Sequence, residues 1–88
     1  MTDYKLLSFI LRGERRKAIL SCLVNPMIPK EIAEKCKVSI HNVSKSLREL
    51  ADKGLIICKN PKDKFYRFYE VTRKGKDLIS WADKINQI

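Results

Sequence analysis

The polar side of one predicted helix carries hydrogen-bonding groups and positive charge, with no acid in its first half. Its residues are His41, Asn42, Ser44, Lys45 and Arg48. At about 100° per residue, His41, Lys45 and Arg48 lie opposite the apolar stripe of the helix, and the other two residues flank them. The acids Glu49 and Asp52 come only near the end. Because acids in the first turn and bases in the last turn stabilise a helix, the reversed order indicates a face shaped for an anionic partner.

These side chains are suited to contacts with nucleic-acid bases. Asn pairs with adenine through two hydrogen bonds and Lys donates to guanine, each good contact giving about 1–3 kcal/mol of discrimination. The residues expected at base edges are His41, Asn42, Ser44 and Lys45. Those expected at phosphates are Lys30, Lys37, Ser39 and Arg48. His41 is equally compatible with a plain surface position near a helix start.

A second interpretation of the same face is a solvated surface joined by Lys45–Glu49 and Arg48–Asp52 ion pairs. In both pairs the base precedes the acid, which is the weaker order and contributes roughly 0.3 kcal/mol or less. The stabilisation from these pairs is therefore too small to explain the arrangement. The sequence favours the first interpretation, a face that contacts DNA.

The composition limits the class of protein. The chain has 88 residues and a formal charge of +9, from nineteen Lys and Arg against ten Asp and Glu. This length predicts one domain, and the charge suggests a nucleic acid or an anionic membrane surface as partner. The sequence has no paired carboxylates in an apolar context, no nucleophile–histidine–acid set and no glycine-rich phosphate loop, so we expect no enzyme.

The cysteines do not form a recognisable metal or disulfide pattern. Cys22, Cys36 and Cys58 are far apart in the sequence, and His41 is the single histidine. This predicts buried thiols in a reducing cytoplasm, with no metal and no cofactor. No apolar run is long enough for a bilayer, and we expect a soluble, cytoplasmic, nucleoid-associated protein without a membrane or an evident small-molecule ligand.

The apolar spacing predicts four helices in the first part of the chain. They cover residues 4–11, 14–24, 29–36 and 40–53. Pro29 suits a first helical turn, where its missing N–H would be unpaired anyway. Ser39 is the predicted N-cap of the fourth helix, with its hydroxyl accepting from a backbone N–H near Asn42. Gly54 supplies the permissive position after that helix, and Met27 with Ile28 has room for only a very short strand.

After Gly54 the pattern changes from helix to strand. Residues 55–59 and 65–71 are rich in β-branched and aromatic side chains and are joined by NPKDK, which predicts a β-hairpin with a basic tip. Thr72 is the predicted cap of a last helix. The apolar stripe of that helix consists of Leu78, Trp81, Ala82, Ile85 and Ile88.

The hairpin carries cations for which Asp63 is the only acidic neighbour at the tip. They are Lys59, Lys62, Lys64 and Arg67. Basic hairpin tips follow the DNA backbone or minor groove, although lysines on an edge also serve solubility by blocking strand addition. The aromatic residues Phe65, Tyr66, Phe68 and Tyr69 suggest a base-stacking platform, but alternating aromatics in a hairpin are more typical of core and cross-strand packing, which we expect here.

Two short helices joined by a tight turn and followed by a hairpin form a winged helix-turn-helix. The segments EIAEKCKVSIHNVSKSLRELADKGLI and YEVTRKGKDLI resemble winged-helix transcriptional regulators of the ArsR and MarR type, and the chain is similar to small archaeal members. The resemblance implies a mainly α fold with a small β-hairpin (α+β) and additional N- and C-terminal helices. It places one domain at 1–88, with the helix-turn-helix at about 29–53, the wing at about 55–71 and a C-terminal helix at about 72–86.

The same resemblance implies sequence-specific binding of double-stranded DNA in transcription regulation, with the 40–53 helix in the major groove. Two positions depart from the family pattern. Lys37 occupies a left-handed turn position where the family usually has glycine, at a cost of about 1 kcal/mol. Pro29 occupies a position where Ser or Thr often caps the first helix of the motif, so one usual phosphate anchor is missing.

Other functions remain open from the sequence. A winged helix can act as a protein–protein adaptor in a transcription or nucleic-acid-processing assembly. A metal- or redox-sensing repressor would use the cysteines, and RNA binding is compatible with the charge, although B-form DNA admits a helix more readily.

We also expect a homodimer. The residues assigned to its interface are Leu78, Trp81, Ala82 and Ile85. The alternative is that the first and last helices cover each other within one chain.

Overall fold

The computed structural model describes residues 4–86 of the chain, and Ile88 lies outside them. The elements are α1 (Tyr4–Arg12), α2 (Glu14–Cys22), α3 (Pro29–Cys36), α4 (Ile40–Asp52), β1 (Ile56–Cys58), β2 (Tyr69–Val71) and α5 (Arg73–Asn86). The α+β class and the predicted order of helices and hairpin are confirmed. The second helix ends at Cys22 rather than at Val24, because Leu23 donates its backbone N–H to the carbonyl of Leu20 as a C-cap.

The turn between α3 and α4 is built as the sequence predicts. Ser39 is the N-cap of α4, and its hydroxyl accepts from the backbone N–H of Asn42 at 3.3 Å. Lys37 has φ 55° and ψ 46°, the left-handed conformation expected of it. The following N–H, of Val38, donates to the carbonyl of Ala33 at 3.0 Å. This bond fixes the reversal of the chain that sets α4 against α3.

One apolar core holds the helices and the hairpin together. Its fully buried side chains include Ile10, Ile19, Leu20, Leu23, Ile32, Val43, Leu50 and Leu55. They come from α1, α2, α3, α4 and the start of the wing, so α4 is fixed by several elements at once. Burying each such side chain contributes roughly 1.5–3 kcal/mol.

The hairpin is antiparallel and shorter than predicted. Ile56 pairs with Val71 and Cys58 with Tyr69, whereas the sequence predicted strands over 55–59 and 65–71. The reason lies in two loop side chains, since Asn60 and Asp63 accept backbone N–H groups that a longer ladder would have used. The very short strand expected near Met27 is a single bridge to Tyr69.

The last helix begins at a side-chain cap, and its first turn lies close to the backbone of Leu55. Thr72 accepts from the backbone N–H of Gly75 at 3.2 Å, which confirms it as the cap, and its hydroxyl donates to the carbonyl of Gly54 at 2.8 Å. A Cβ at Gly75 would lie 2.4 Å from the carbonyl oxygen of Leu55. Glycine therefore lets α5 pack directly on the backbone that leads into the wing.

Helices α1 and α5 pack against each other in the same chain. The rings of Tyr4 and Trp81 meet edge to face, with centroids 5.3 Å apart. Leu78 is 6% exposed and Ala82 is fully buried in the core. This corrects their assignment to a dimer interface, because the chain itself covers them. In the described part of the chain, the helices are all too short or too polar to cross a bilayer.

Candidate nucleic-acid interface

Helix α4 separates a buried side from an exposed cationic side. Val43 and Leu50 are fully buried and Leu47 is 3% exposed, so this stripe anchors the helix. The residues His41, Ser44, Lys45 and Arg48 are exposed and lie on the opposite side, whereas Asn42 is half-buried on its flank. Four of the five polar residues thus form one surface, and Asn42 lies at its edge.

The cations of this surface are not neutralised by acids of their own helix. Glu49 accepts from the guanidinium of Arg16 in α2 at 2.9 Å, and that guanidinium also lies 4.0 Å from the centroid of the Phe9 ring. Among the described residues, the Lys45–Glu49 pair of the solvated-surface interpretation is not formed. Within residues 4–86, neither Lys45 nor Arg48 has an ion-pair partner. Their charge remains available to an external anion.

The first turn of α4 carries an apolar residue to which the sequence pattern gave no role. Ile40 is 52% exposed, directly before His41. An exposed β-branched side chain at this point could contact the methyl group of thymine. Periodicity alone does not reveal this exposure, because Ile40 precedes Val43 and Leu47 by three and seven residues and so lies in line with the buried stripe.

Three of the residues expected at phosphates lie in α3 or in the turn before α4. Lys30 and Lys37 are exposed, and Ser39 is exposed although its hydroxyl oxygen already caps α4. The cap of α3 has no hydroxyl: the backbone N–H of Ile28 donates instead to the Glu31 carboxylate at 3.1 Å. The Glu31 carboxylate therefore lies at the start of α3, where negative charge interacts favourably with the helix dipole.

The four wing cations differ in their surroundings. Lys59 forms an ion pair with Glu70 at 3.5 Å, so its charge is shared with an acid. Arg67 donates from Nε to the backbone carbonyl of Asp63 at 2.7 Å, which fixes its direction. Lys62 and Lys64 are exposed. Neither lysine has an ion-pair partner within residues 4–86, so both charges are available to an external anion.

The wing aromatics do not pack as expected. Phe65 is 85% exposed and Tyr66 is 63% exposed. Of the four rings, Tyr69 packs against the core. The expectation of core and cross-strand packing is therefore wrong for Phe65 and Tyr66.

Two of the cysteines that are distant in sequence meet in the fold. The Sγ atoms of Cys22 and Cys36 are 3.2 Å apart, which brings α2 and α3 together at this point. Burial, followed by the hydrogen bond with Cys22, raises the pKa of Cys36 to about 11. All three cysteines are half-buried. Among residues 4–86, no group of three His, Cys, Asp or Glu side chains is arranged to hold a metal ion.

A cleft lies at the other end of α4. Its lining includes Tyr4, Phe9, Arg12, Lys53 and Lys74. It borders the C-terminal turn of α4, whereas His41 and Ser44 lie toward the N-terminal end. The cleft and the predicted base-contacting surface are thus separate.

Comparison with solved structures identifies the architecture. A mutant of ZitR from Lactococcus lactis matches with a TM-score of 0.75 and 25% identity, over 85% of this chain and 53% of that chain. BldR from Sulfolobus solfataricus, a transcriptional regulator, matches with a TM-score of 0.75 and 21% identity, over 85% and 55%. The fold is a winged helix-turn-helix.

The winged-helix chain spans about half the length of these solved structures. Wild-type ZitR in complex with DNA matches with a TM-score of 0.71 and 24% identity, over 83% of this chain and 51% of that chain. A MarR family transcription regulator is also similar in fold. No family model and no curated protein sequence matches the chain. The resemblance to MarR-type regulators is thus confirmed for the fold.

Proposed function

We propose that the chain is a transcriptional regulator that binds double-stranded DNA sequence-specifically. The observation that carries this proposal is the exposed side of α4, where Lys45 and Arg48 have no ion-pair partner within residues 4–86. A helix of this kind fits the B-DNA major groove. The likeness in fold to ZitR, which has been solved with DNA, supports the same function.

The base contacts belong to the N-terminal half of α4. Ser44 and Lys45 are exposed and present a hydroxyl and an ammonium group, while His41 presents a ring nitrogen. Asn42 is half-buried, so its amide must turn outward to reach a base. Ile40 adds an apolar contact for a thymine methyl group.

The phosphate contacts surround this helix on two sides. Lys30, Lys37 and Ser39 lie at or before the turn, and Arg48 lies farther along α4. On the wing, the DNA backbone or minor groove is contacted by Lys62, Lys64 and Arg67. The contact of Lys59 with DNA is weaker, because its ammonium group is paired with Glu70. These contacts hold the protein in register and carry little sequence information.

A regulator of this kind works where DNA is accessible, so we place the protein in the cytoplasm on the nucleoid.

We further propose that it binds as a homodimer. Because Leu78 and Ala82 are covered within the chain, Trp81 and Ile85 remain as interface residues from α5.

Alanine substitutions in α4 and in the wing separate sequence recognition from general affinity. A preferred site is first selected from random duplex DNA. Lys45→Ala or Asn42→Ala should then weaken binding to that site by about 1–3 kcal/mol and change non-specific binding far less. Lys62→Ala with Lys64→Ala should weaken binding to all duplexes alike and reduce the salt slope by up to about two units.

Lys84→Ala near the end of α5 is the matched control, because it removes one positive charge away from both surfaces. If the wing substitutions changed sequence preference and the α4 substitutions did not, the wing would recognise the sequence and α4 would supply general affinity. A wild type without salt-dependent binding to any duplex would contradict DNA binding itself. Retention on an acidic protein would then favour the adaptor function.

A further inference from the structure

The tip of the wing presents large apolar rings to solvent. Phe65 is 85% exposed and Tyr66 is 63% exposed, beside Phe68 at 39%. Every residue from 61 to 68 is exposed. The rings are therefore not part of the core, and folding of the described chain gives no reason for their being aromatic.

The loop backbone beneath these rings is held in place by side-chain hydrogen bonds. The Asp63 carboxylate accepts from the backbone N–H groups of Phe65 and Tyr66 at 2.9 and 2.8 Å. These two bonds, that of Tyr66 first, hold the pKa of Asp63 below its usual range. The carboxylate is thus ionised at neutral pH and keeps accepting both bonds.

A second set of bonds closes the loop on itself. Asn60 donates from Nδ2 to the carbonyl of Tyr66 at 2.6 Å and accepts at Oδ1 from the N–H of Phe68 at 2.7 Å. The Arg67 Nε donates to the Asp63 carbonyl at 2.7 Å. The backbone that carries Phe65 is consequently fixed before any partner arrives, so little ordering entropy remains to be lost on binding.

The charges around the rings indicate the chemistry of the partner. Lys62, Lys64 and Arg67 flank Phe65 and Tyr66, and the only acid between Asn60 and Phe68 is Asp63, whose Oδ1 accepts from two backbone N–H groups. A partner that fits must offer negative charge on both sides of a flat apolar interior. Duplex DNA offers this arrangement, with phosphates on either side of stacked bases.

We propose that Phe65 enters the minor groove and wedges between two stacked base pairs, with Tyr66 beside it and Lys62 and Lys64 on the flanking phosphates. This proposal rests on the DNA-binding function proposed above. Inserted apolar side chains of this type partly unstack a base step and bend the duplex. Because flexible pyrimidine–purine steps cost less to open, the wing would add sequence preference at a position where it makes no hydrogen bond to a base.

The test compares two fluorescent duplexes of identical sequence, one of which carries a single central mismatch. Opening a mismatched step costs less than opening a paired one, so the wild type should bind the mismatched duplex about threefold or more tightly. Phe65→Ala should lose this preference and bind the intact duplex with an unchanged salt slope. Lys64→Ala, the matched neighbour, should weaken both duplexes alike and keep the preference. Circular dichroism of both variants checks that these exposed substitutions leave the fold intact.

The outcomes separate this inference from the proposed function. Equal mismatch preference in the wild type and Phe65→Ala would overturn the wedge while duplex binding stands. A wild type that bound neither duplex would overturn DNA binding itself. Phe65-dependent binding to phosphatidylserine vesicles, without any effect of Phe65 on duplex binding, would overturn the wedge and assign the rings to an anionic membrane surface. An increase in 2-aminopurine fluorescence at the opened step, absent with Phe65→Ala, would support the wedge directly.

Discussion

Lys37 combines a backbone conformation that suits glycine with a charge that suits a phosphate. Its φ of 55° lies in the left-handed region. Gly at this position should make the protein about 1 kcal/mol more stable, because it adopts that region without a steric penalty. The same Lys37→Gly variant should bind every duplex more weakly, since one phosphate contact is lost. Thermal unfolding and a salt titration of duplex binding measure the two effects.

Lys37→Asn is the matched control, because asparagine tolerates the left-handed region and carries no charge. It should weaken DNA binding as much as Lys37→Gly does. If both variants bound duplexes as tightly as the wild type, Lys37 would have no phosphate contact. In that case its strained conformation would have no functional reason in the proposed complex.

Cys36 should react slowly with thiol reagents at neutral pH. Its pKa is raised to about 11, chiefly by burial. The reactive form is the thiolate, so the rate of alkylation by iodoacetamide should stay low near pH 7 and rise as the pH approaches 11. Mass spectrometry of the Cys36 peptide, with glutathione as the free-thiol control, follows this rate. Alkylation at pH 7 as fast as that of glutathione would contradict the prediction.

The cysteines should not control DNA binding. A variant with Ala or Ser at positions 22, 36 and 58 should bind duplexes within a few-fold of the wild type, after correction for lost packing stability. Zinc and oxidants should leave wild-type affinity unchanged. A stoichiometric metal that is released together with DNA would favour the sensor alternative.

At the scale of elements, the helices were predictable because their signals are local. Ser39 caps α4 and Pro29 opens α3 as expected, since capping depends on residues within one turn. The exposed face of α4 followed from its periodicity. The partner of Glu49 did not, because Arg16 lies 33 positions away in sequence and only the packing of α2 on α4 brings the two together.

The wing was predicted as an element but not in its detail. Strand propensity alone favoured longer strands and buried aromatic rings. The side chains of Asn60 and Asp63 instead take the backbone donors of the loop, and Phe65 and Tyr66 remain exposed. Side chains and the strand ladder compete here for the same backbone N–H groups. The outcome depends on the geometry of the closed loop, which residue types do not specify. The meeting of Cys22 with Cys36 was missed for a related reason, since it depends on how two helices pack.

The close packing of α5 on the start of the wing should require glycine at position 75. In an exposed helix, Gly→Ala is favourable by up to about 1 kcal/mol. Here the added Cβ would lie 2.4 Å from the carbonyl oxygen of Leu55 and 2.5 Å from Cγ2 of Val71. Gly75→Ala should therefore destabilise the protein by about 1–3 kcal/mol, the usual cost of overpacking.

Chemical denaturation of Gly75→Ala, with Lys76→Ala as the control in the same turn of α5, measures this cost. Lys76 is exposed, so its substitution should change the free energy of unfolding by less than about 0.5 kcal/mol. An alanine at position 75 that stabilised the protein would mean that α5 can move away from Leu55 at no cost.

For the whole molecule, the terminal helices illustrate a limit of sequence patterns. An apolar stripe shows that a helix face is covered, but it does not specify whether the cover comes from the same chain. Leu78 and Ala82 are covered from within the chain. Around Trp81 the cover is incomplete, because Tyr4 is 75% exposed and Ile85 is 37% exposed. An exposed apolar surface of this kind is often an interface between copies of a protein.

The dimer prediction therefore moves to the surface around Tyr4, Trp81 and Ile85. Ile85 lies one turn after Trp81, on the same side of α5, and Tyr4 contacts that tryptophan. A symmetric pair would bury these side chains and present two copies of α4 to an inverted repeat whose half-site centres are about one helical turn apart, or a multiple of it. Sedimentation at micromolar concentration should show a dimer for the wild type and a folded monomer for Ile85→Glu, whereas Lys84→Glu at the neighbouring exposed position should remain dimeric. Ile85 is suited to this test because it is exposed, so a glutamate there leaves the core intact. Leu78→Glu would instead place a charge in the core. A wild type that remained monomeric and bound a single asymmetric site would show that one copy of α4, with its wing, suffices for recognition.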